Sequence, residues 1–218
     1  DIGFDDSRFR LPELRETEYV VDTVKPRPGR LFAIPARDIR EERAERRHSI
    51  AERCGEAVRI ASKVDGPCVA WCELNDEADE LERSISGAVQ VSGDDSDEAK
   101  EEKLSAFSSG EIMRLVTKPK IGAWGLNWQH CRDMIVFPSH SFEQYYQLVR
   151  RCYRFGQTKP VNVSIVVCEG ERGVLNSIKR KQEQSRKMFS EMVAHMNNAL
   201  HLVSKDVFPQ QEEIPSWL

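Results

Sequence analysis

From Pro67 to Val167 the chain repeats one device, a short apolar run followed by a helical pattern or a glycine-bearing loop. The runs are PCVAWC (67–72), GAVQV (87–91), IMRLV (112–116), DMIVF (133–137) and VNVSIVV (161–167). None of the first four alternates cleanly between apolar and polar, as a strand with one wet face would. Near-continuous apolar strands suit a sheet covered on both faces. Helical patterns of about a dozen residues lie between several of them: NDEADELERSI (75–85), DEAKEEKLSAF (97–107) and Ser141–Phe155. A connection of that length crosses over and brings the next strand in parallel. The expectation is an α/β fold, a parallel sheet with helices on both faces.

The flanks read differently. Residues 1–64 are expected to be a connector with helices: TEYVVDTV is loosely alternating, KPRPGR is turn-rich, and IREERAERR is helical and highly charged. SIAE (Ser49–Glu52) has the form of a capping box, and Cys54, Ala57, Val58 and Ala61 make an apolar stripe at helical spacing. The sheet region is expected over 65–168, one long amphipathic helix with a basic first half over 169–202, and a tail over 203–218. A hydrophobic content of 39% is enough for a core, and a net charge of −4 argues against a uniformly basic coat for nucleic acid, though not against local patches. Six cysteines without a C-x-x-C pair, mostly inside apolar runs, read as reduced thiols in a cytoplasmic protein. No apolar run approaches a bilayer's thickness, so no membrane is expected. The chain begins at Asp1 rather than Met, which reads as a piece of a longer protein.

QYYQLVRRCYRFGQTKP (144–160) holds Arg150, Arg151 and Arg154, and no Asp or Glu occurs between Glu143 and Glu169. On a helix, Gln147, Arg151 and Arg154 fall within about 60° of one another. Tyr145, Leu148, Cys152 and Phe155 share a separate arc, expected to face the core, and Arg150 is expected to point elsewhere. Ser141 is placed to cap the start, and Gly156 to end the helix as its C′ residue. Two guanidiniums and a carboxamide in one direction, without a local acid, suit a phosphate or carboxylate.

The run from Gln147 through Arg151, Arg154, Gly156 and Gln157 to Lys159-Pro160-Val161 resembles motif VI of superfamily-two helicases, particularly the Swi/Snf-type branch. TKPKIGAWGLNWQHC (117–131) is similar to motif V of the same family, with Gly122, Gly125, Leu126 and Asn127 matching and either Lys118 or Lys120 as the lysine. Its G-x-x-G-L-N-W-Q-H-C pattern looks most like helicase proteins encoded by phages and prophages. VAWCELN fits the motif IV strand, and VSGDDSDEAKEEKLSAF the strand, glycine turn and helix that follow.

The resemblance implies the C-terminal RecA-like lobe of an ATP-dependent DNA helicase or translocase. Arg154 would be the arginine finger, Arg151 its partner and Gln147 a polar contact. Gly125, Asn127 and Gln157 would lie at the nucleotide. Thr117, Lys118, Lys120, Gly122, Ser92 and Gly93 would meet nucleic acid, expected to be double-stranded DNA. ATP and Mg2+ would be held mainly by an N-terminal lobe of the same protein. The chain alone is expected to be inactive, and the competing reading is a non-catalytic RecA-like module that binds nucleic acid or protein.

Asp76–Asp79 spells Asp-Glu-Ala-Asp, the letters of an RNA-helicase Mg2+ box. That box works beside a P-loop, and no G-x-x-x-x-G-K-[ST] occurs in this sequence. The four residues are read instead as the acidic first turn of a helix, with Asn75 as its cap. His130 and Cys131 lack partners at metal-ligand spacing. Trp124 and Trp128 are read as packed beside the glycine loop, and the basic SIKRKQEQSRK run (177–187) as a solvated face.

Overall fold

The computed structural model describes residues 11–22, 39–121 and 126–207, with the side chains of Ile39, Glu42 and 197–207 excepted. Its strands are β1 (Leu14–Val21), β2 (Cys68–Trp71), β3 (Ala88–Val91), β4 (Arg114–Thr117), β5 (Asp133–Val136) and β6 (Val161–Cys168). The helices are α1 (Ile39–His48), α2 (Ile50–Ala61), α3 (Asn75–Ser84), α4 (Asp97–Ser109), α5 (Phe142–Cys152) and α6 (Arg172–Val207). The strands form one sheet in the order β1-β6-β5-β2-β4-β3, every neighbouring pair parallel.

Alternation along the strands divides the core in two, because successive side chains leave opposite faces. Val69 and Trp71 of β2 join a layer with Leu104 and Phe107 of α4, Leu148 and Cys152 of α5, and Val174, Leu175 and Ile178 of α6. Cys68, Ala70 and Cys72 join the other layer, with Cys54, Ala57, Ile60 and Ala61 of α2 and Ala78 and Leu81 of α3. The small residues of α2 let its backbone lie close on the sheet, and Val58, expected in that stripe, is only half-buried. Residues 1–178 and 179–218 make two units, the second holding the remainder of α6.

Three expectations are corrected here. The segment assigned to a connector supplies β1, the strand that pairs with β6 from Leu14↔Val161 to Val21↔Cys168. Ser49 makes no capping box: its hydroxyl donates to the Glu45 carbonyl at 2.8 Å, because α1 leads into α2 across that single residue. Asn75 is not the cap of α3 either. Leu74 holds that position, and its N–H is taken by the Glu77 carboxylate at 3.0 Å.

Glu77 also answers the Asp-Glu-Ala-Asp question. It accepts from the Glu73 and Leu74 N–H groups and pairs with Arg53 at 2.6 Å, with both charged side chains wholly buried. A carboxylate so engaged closes the α3 N-terminus against α2 and is not open to a metal ion. Arg53 also reaches Glu171 at 3.4 Å, and Arg46 reaches Glu171 at 2.6 Å. The four charges link α1, α2, α3 and the 3-10 turn Glu169–Glu171 that follows β6.

All six cysteines are free and buried. Burial pushes the Cys54 thiol up to about 12 and the Cys168 thiol to about 11. Since the thiolate is the reactive form, the folded protein will resist an aromatic disulfide reagent at pH 8, whereas all six thiols will titrate in guanidinium chloride. Rapid reaction of a folded sample would contradict this burial.

Candidate nucleotide and nucleic-acid sites

The helix bearing the arginines is shorter than its sequence pattern. Ser141 caps it as expected, accepting from the Gln144 N–H at 3.2 Å. It stops at Cys152, so Arg154 and Phe155 lie beyond it in a turn. The Gln157 N–H donates to the Arg154 carbonyl at 3.0 Å, with Gly156 at φ +93°. That left-handed conformation is cheap only for glycine. Gly156 thus makes the turn after the helix rather than its C′ cap. A Cβ at Gly156 would also lie 2.6 Å from the Gln129 side-chain nitrogen, so alanine there meets both strain and crowding.

An exposed groove of about 430 Å³ runs along this helix and turn, lined by Tyr146, Gln147, Arg150, Arg151, Arg154 and Phe155. Among the described residues no carboxylate lines it. The three residues expected to act together, Gln147, Arg151 and Arg154, are together. Tyr145, Leu148 and Cys152 are buried as expected. Two expectations fail. Arg150 belongs to the groove, since its helical wall, from Tyr146 to Arg151, spans about 140° and Arg150 lies within that arc. Phe155 is 57% exposed, because it follows the end of the helix and the helical angle no longer applies.

Arg151 is half-buried, and its guanidinium donates to the Leu126 carbonyl at 3.5 Å. Burial and the nearby Arg154 guanidinium push its pKa below the usual arginine value. Two like charges at one site are relieved by an anion. The Arg154 side chain is exposed, and no acid among the described residues pairs with it. The Gln147 amide donates to Glu143 at 3.2 Å. Guanidiniums without a carboxylate among the described lining residues suit an anion.

Gln157 departs from its expected place at a nucleotide. Its carboxamide is buried: the nitrogen donates to the Gln129 carbonyl at 2.9 Å and lies 3.4 Å from the Cys152 carbonyl. Its oxygen accepts from the Thr158 and Lys159 N–H groups at 3.1 Å each. The side chain therefore fixes the turn that presents Arg154. Gln157→Leu strands those groups in the interior and should cost about 1–3 kcal/mol. The thermal midpoint should fall by roughly 2–4 °C for each kcal/mol. An unchanged midpoint would show that the turn holds without the amide.

The second set of residues lies towards the other ends of the strands. Ser92 and Gly93 follow β3 and Lys118 follows β4, at the C-terminal edge of the sheet, while the arginine turn leads into the start of β6. Gly93 and Lys120 line a wide groove of about 910 Å³ over Leu104 of α4. Lys100 of that groove is offset by Asp97 and Glu101, so its rim is not strongly basic. Lys118 instead donates to the Asn75 side chain across from β2. Ser92 is engaged locally, its N–H donating to Asp95 at 2.9 Å and its hydroxyl accepting from the Asp94 N–H at 3.1 Å. Thr117, expected at nucleic acid, is wholly buried, and its hydroxyl donates to the Val91 carbonyl at 3.2 Å. It ties β4 to β3 and offers nothing to a ligand in this arrangement. Asn127 is exposed, whereas Gly122 and Gly125 lie outside the described residues, as does Trp124.

The stretch after β4 joins the two sets. It leaves the C-terminal end of β4 and returns to the chain at the N-terminal end of β5. Before it does so, the Trp128 N–H donates to the Arg151 carbonyl at 3.0 Å and the Gln129 amide donates to the Phe155 carbonyl. Trp128 is buried as expected, its ring 5.6 Å from Trp71 and 5.1 Å edge-on from Phe107. His130 packs on Phe107, centroid to centroid 5.1 Å, and burial lowers its pKa. Gln129 and Arg150 escaped sequence reasoning. The spacing of Tyr146 and Arg150, one turn apart, was the available signal for the latter.

No family model and no curated protein matches the chain. Solved structures do. One is the C-terminal part of the Fun30 ATPase domain, with a TM-score of 0.52 and 16% identity over 58% of this chain and 45% of that one. Another is a DEAD box protein from the hyperthermophile Methanococcus jannaschii, with a TM-score of 0.51 and 21% identity over 61% and 37%. The chain thus spans less than half the length of either. The fold is RecA-like α/β, a six-stranded parallel sheet with a long C-terminal helix, and is shared with these two structures. Among the described residues no helix is long and apolar enough to cross a membrane.

Proposed function

We propose that this chain is the C-terminal motor lobe of an ATP-dependent DNA translocase or helicase, and that it completes an ATP site held mainly by another lobe of the same protein. The observation that carries this is the groove that Gln147, Arg151 and Arg154 line together, with no carboxylate among its described lining residues. When bound there, the nucleotide and its Mg2+ would supply the reacting γ-phosphoryl group. This chain's part is electrostatic: Arg154 meets charge developing on the phosphoryl oxygens, and Arg151 holds the anion beside it. Mg2+ and the P-loop belong to the other lobe.

Double-stranded DNA would run along the C-terminal edge of the sheet, past Gly93, Lys118 and Lys120. The segment from Lys118 to Gln129 is the physical link between that edge and the arginine turn, since it begins at one and bonds the other. Its G-x-x-G-L-N-W-Q-H-C pattern supports a phage-borne variant of the motor, working in the cytoplasm.

Calorimetric titration of the 218-residue chain with ATP tests the anion site. Binding should be weak, in the millimolar range typical of a half-site, and Arg154→Ala should reduce it about tenfold, the scale of one lost charge-assisted contact. Equal affinity in the wild type and the variant would remove Arg154 from the site.

A further inference from the structure

We propose that α6 carries a self-association surface: the exposed apolar stripe within residues 188–196 packs on the same stripe of a second copy, the two helices running antiparallel. This stands apart from the arginine groove. Met188, Phe189, Met192, Val193 and Met196 are 39–65% exposed, and α6 from Lys179 onward belongs to a unit of its own. On the helix, Phe189, Met192, Val193 and Met196 fall within about 100° of one another, with Met188 at their edge. The pair of Lys187 with Glu191, at 3.9 Å, lies on the opposite side. A contiguous apolar face on an otherwise polar helix marks a contact surface.

Spacing and charge identify the occupant. Gln182, Ser185, Phe189, Met192 and Met196 recur at alternate intervals of three and four residues. That is the seam of a helix that packs on another helix. A second copy brings the same seam, as a two-fold contact requires. Within 188–196 the one Asp, Glu, Lys or Arg is Glu191, so the stripe itself offers nothing to an anionic membrane or to nucleic acid. Charge then sets the direction. Residues 179–187 hold five cations, Lys179, Arg180, Lys181, Arg186 and Lys187, against Glu183 alone. Parallel helices would lay these two basic segments side by side, where like charges repel. Antiparallel helices, with Phe189 over Met192 of the second copy, lay each beside positions 194–202, which contain no Lys or Arg. Arg186 then falls beside Val193 of the second copy, where its stem covers apolar surface while its charge stays in water.

Sedimentation velocity of the 218-residue chain tests the contact. Its mass should rise from 25.0 kDa towards twice that value as the concentration passes through roughly 1–100 µM. Met192→Glu should weaken the dimer about tenfold or more, since a carboxylate would be buried in the seam, and Phe189→Leu should keep it. Both side chains are exposed in the single copy, so both variants should retain the wild-type circular dichroism. A spin label on Gln184→Cys reads the direction, because the six native thiols are buried. Antiparallel helices set the two labels roughly 20 Å apart along the axis, whereas parallel helices set them level. A monomer at the highest concentration, or a dimer indifferent to Met192→Glu, overturns the contact. Level labels overturn the antiparallel arrangement. A dimer of this chain that is lost in the protein including the nucleotide-holding lobe gives the stripe to that lobe instead. Met192-dependent binding of a monomeric chain to phosphatidylserine vesicles gives it to a membrane. None of these outcomes bears on ATP binding at the arginine groove.

Discussion

In the protein that includes the nucleotide-holding lobe, Arg154→Ala will lower DNA-stimulated ATP hydrolysis by about 10³-fold or more. DNA affinity will stay close to wild type. The expected split follows from where the groups lie. Arg154 stands on the turn leading into β6, at the opposite ends of the strands from Gly93 and Lys118. A guanidinium at the phosphoryl group acts chiefly on the charge that develops as that group transfers, so its loss falls on the rate of hydrolysis and not on DNA binding. Arg151→Ala should reduce turnover too, and should also loosen the segment around Leu126, whose carbonyl Arg151 meets. Steady-state hydrolysis with and without DNA, paired with an electrophoretic binding assay, measures both quantities. Equal loss of hydrolysis and DNA binding in Arg154→Ala would assign the residue to the nucleic-acid backbone instead.

Arg53→Met will destabilise the lobe by about 3–5 kcal/mol. Arg53 is wholly buried, with Glu77 at 2.6 Å and Glu171 at 3.4 Å, and its guanidinium carbon lies 5.0 Å from the Phe137 ring centroid. Removing it leaves two carboxylates inside the protein. Of these two carboxylates Arg46 pairs with Glu171 and not with Glu77, so Glu77 would lose its described cation. Mutual attraction and hydrogen bonding keep such a cluster acceptable, and loss of one member exposes the desolvation cost of the others. Urea denaturation followed by circular dichroism reads the change. Arg59→Met is the control, because its pair with Glu56 is a solvent-facing i,i+3 contact, and its midpoint should stay within experimental scatter. Similar midpoints for the two variants would mean that the buried cluster is not what holds α2 to α3 and to the turn after β6.

The four inner strands, β6, β5, β2 and β4, were legible because each is covered on both faces, which forces a run of apolar residues whatever the neighbouring helices do. β1 was not, for the complementary reason. It pairs with β6 alone, and LRETEYVV is mostly polar along the part that water reaches. The inner face of α5 was likewise readable from helical spacing, through Tyr145, Leu148 and Cys152.

Positions that depend on what happens after the last helical residue were not readable that way. The exposure of Phe155 and the inward turn of Gln157 are consequences of the helix ending at Cys152. Thr117 was expected at a ligand, and its hydroxyl instead serves the neighbouring strand. The partners of Glu77 are long-range as well: Arg53 lies on another helix, and nothing local in Asn75-Asp76-Glu77 announces it. Composition and spacing therefore located the arginines, while only the fold could say which neighbours they share and which amides are used up internally.

The central claim is that this lobe completes an ATP site without containing one. Its most direct test is steady-state phosphate release by the purified 218-residue chain, given ATP, Mg2+ and double-stranded DNA. Among the described residues no carboxylate lines the arginine groove to hold Mg2+, and the sequence has no P-loop, so the account predicts release at the level of a protein-free blank. Turnover above that blank, abolished by Arg154→Ala in the same preparation, would contradict it.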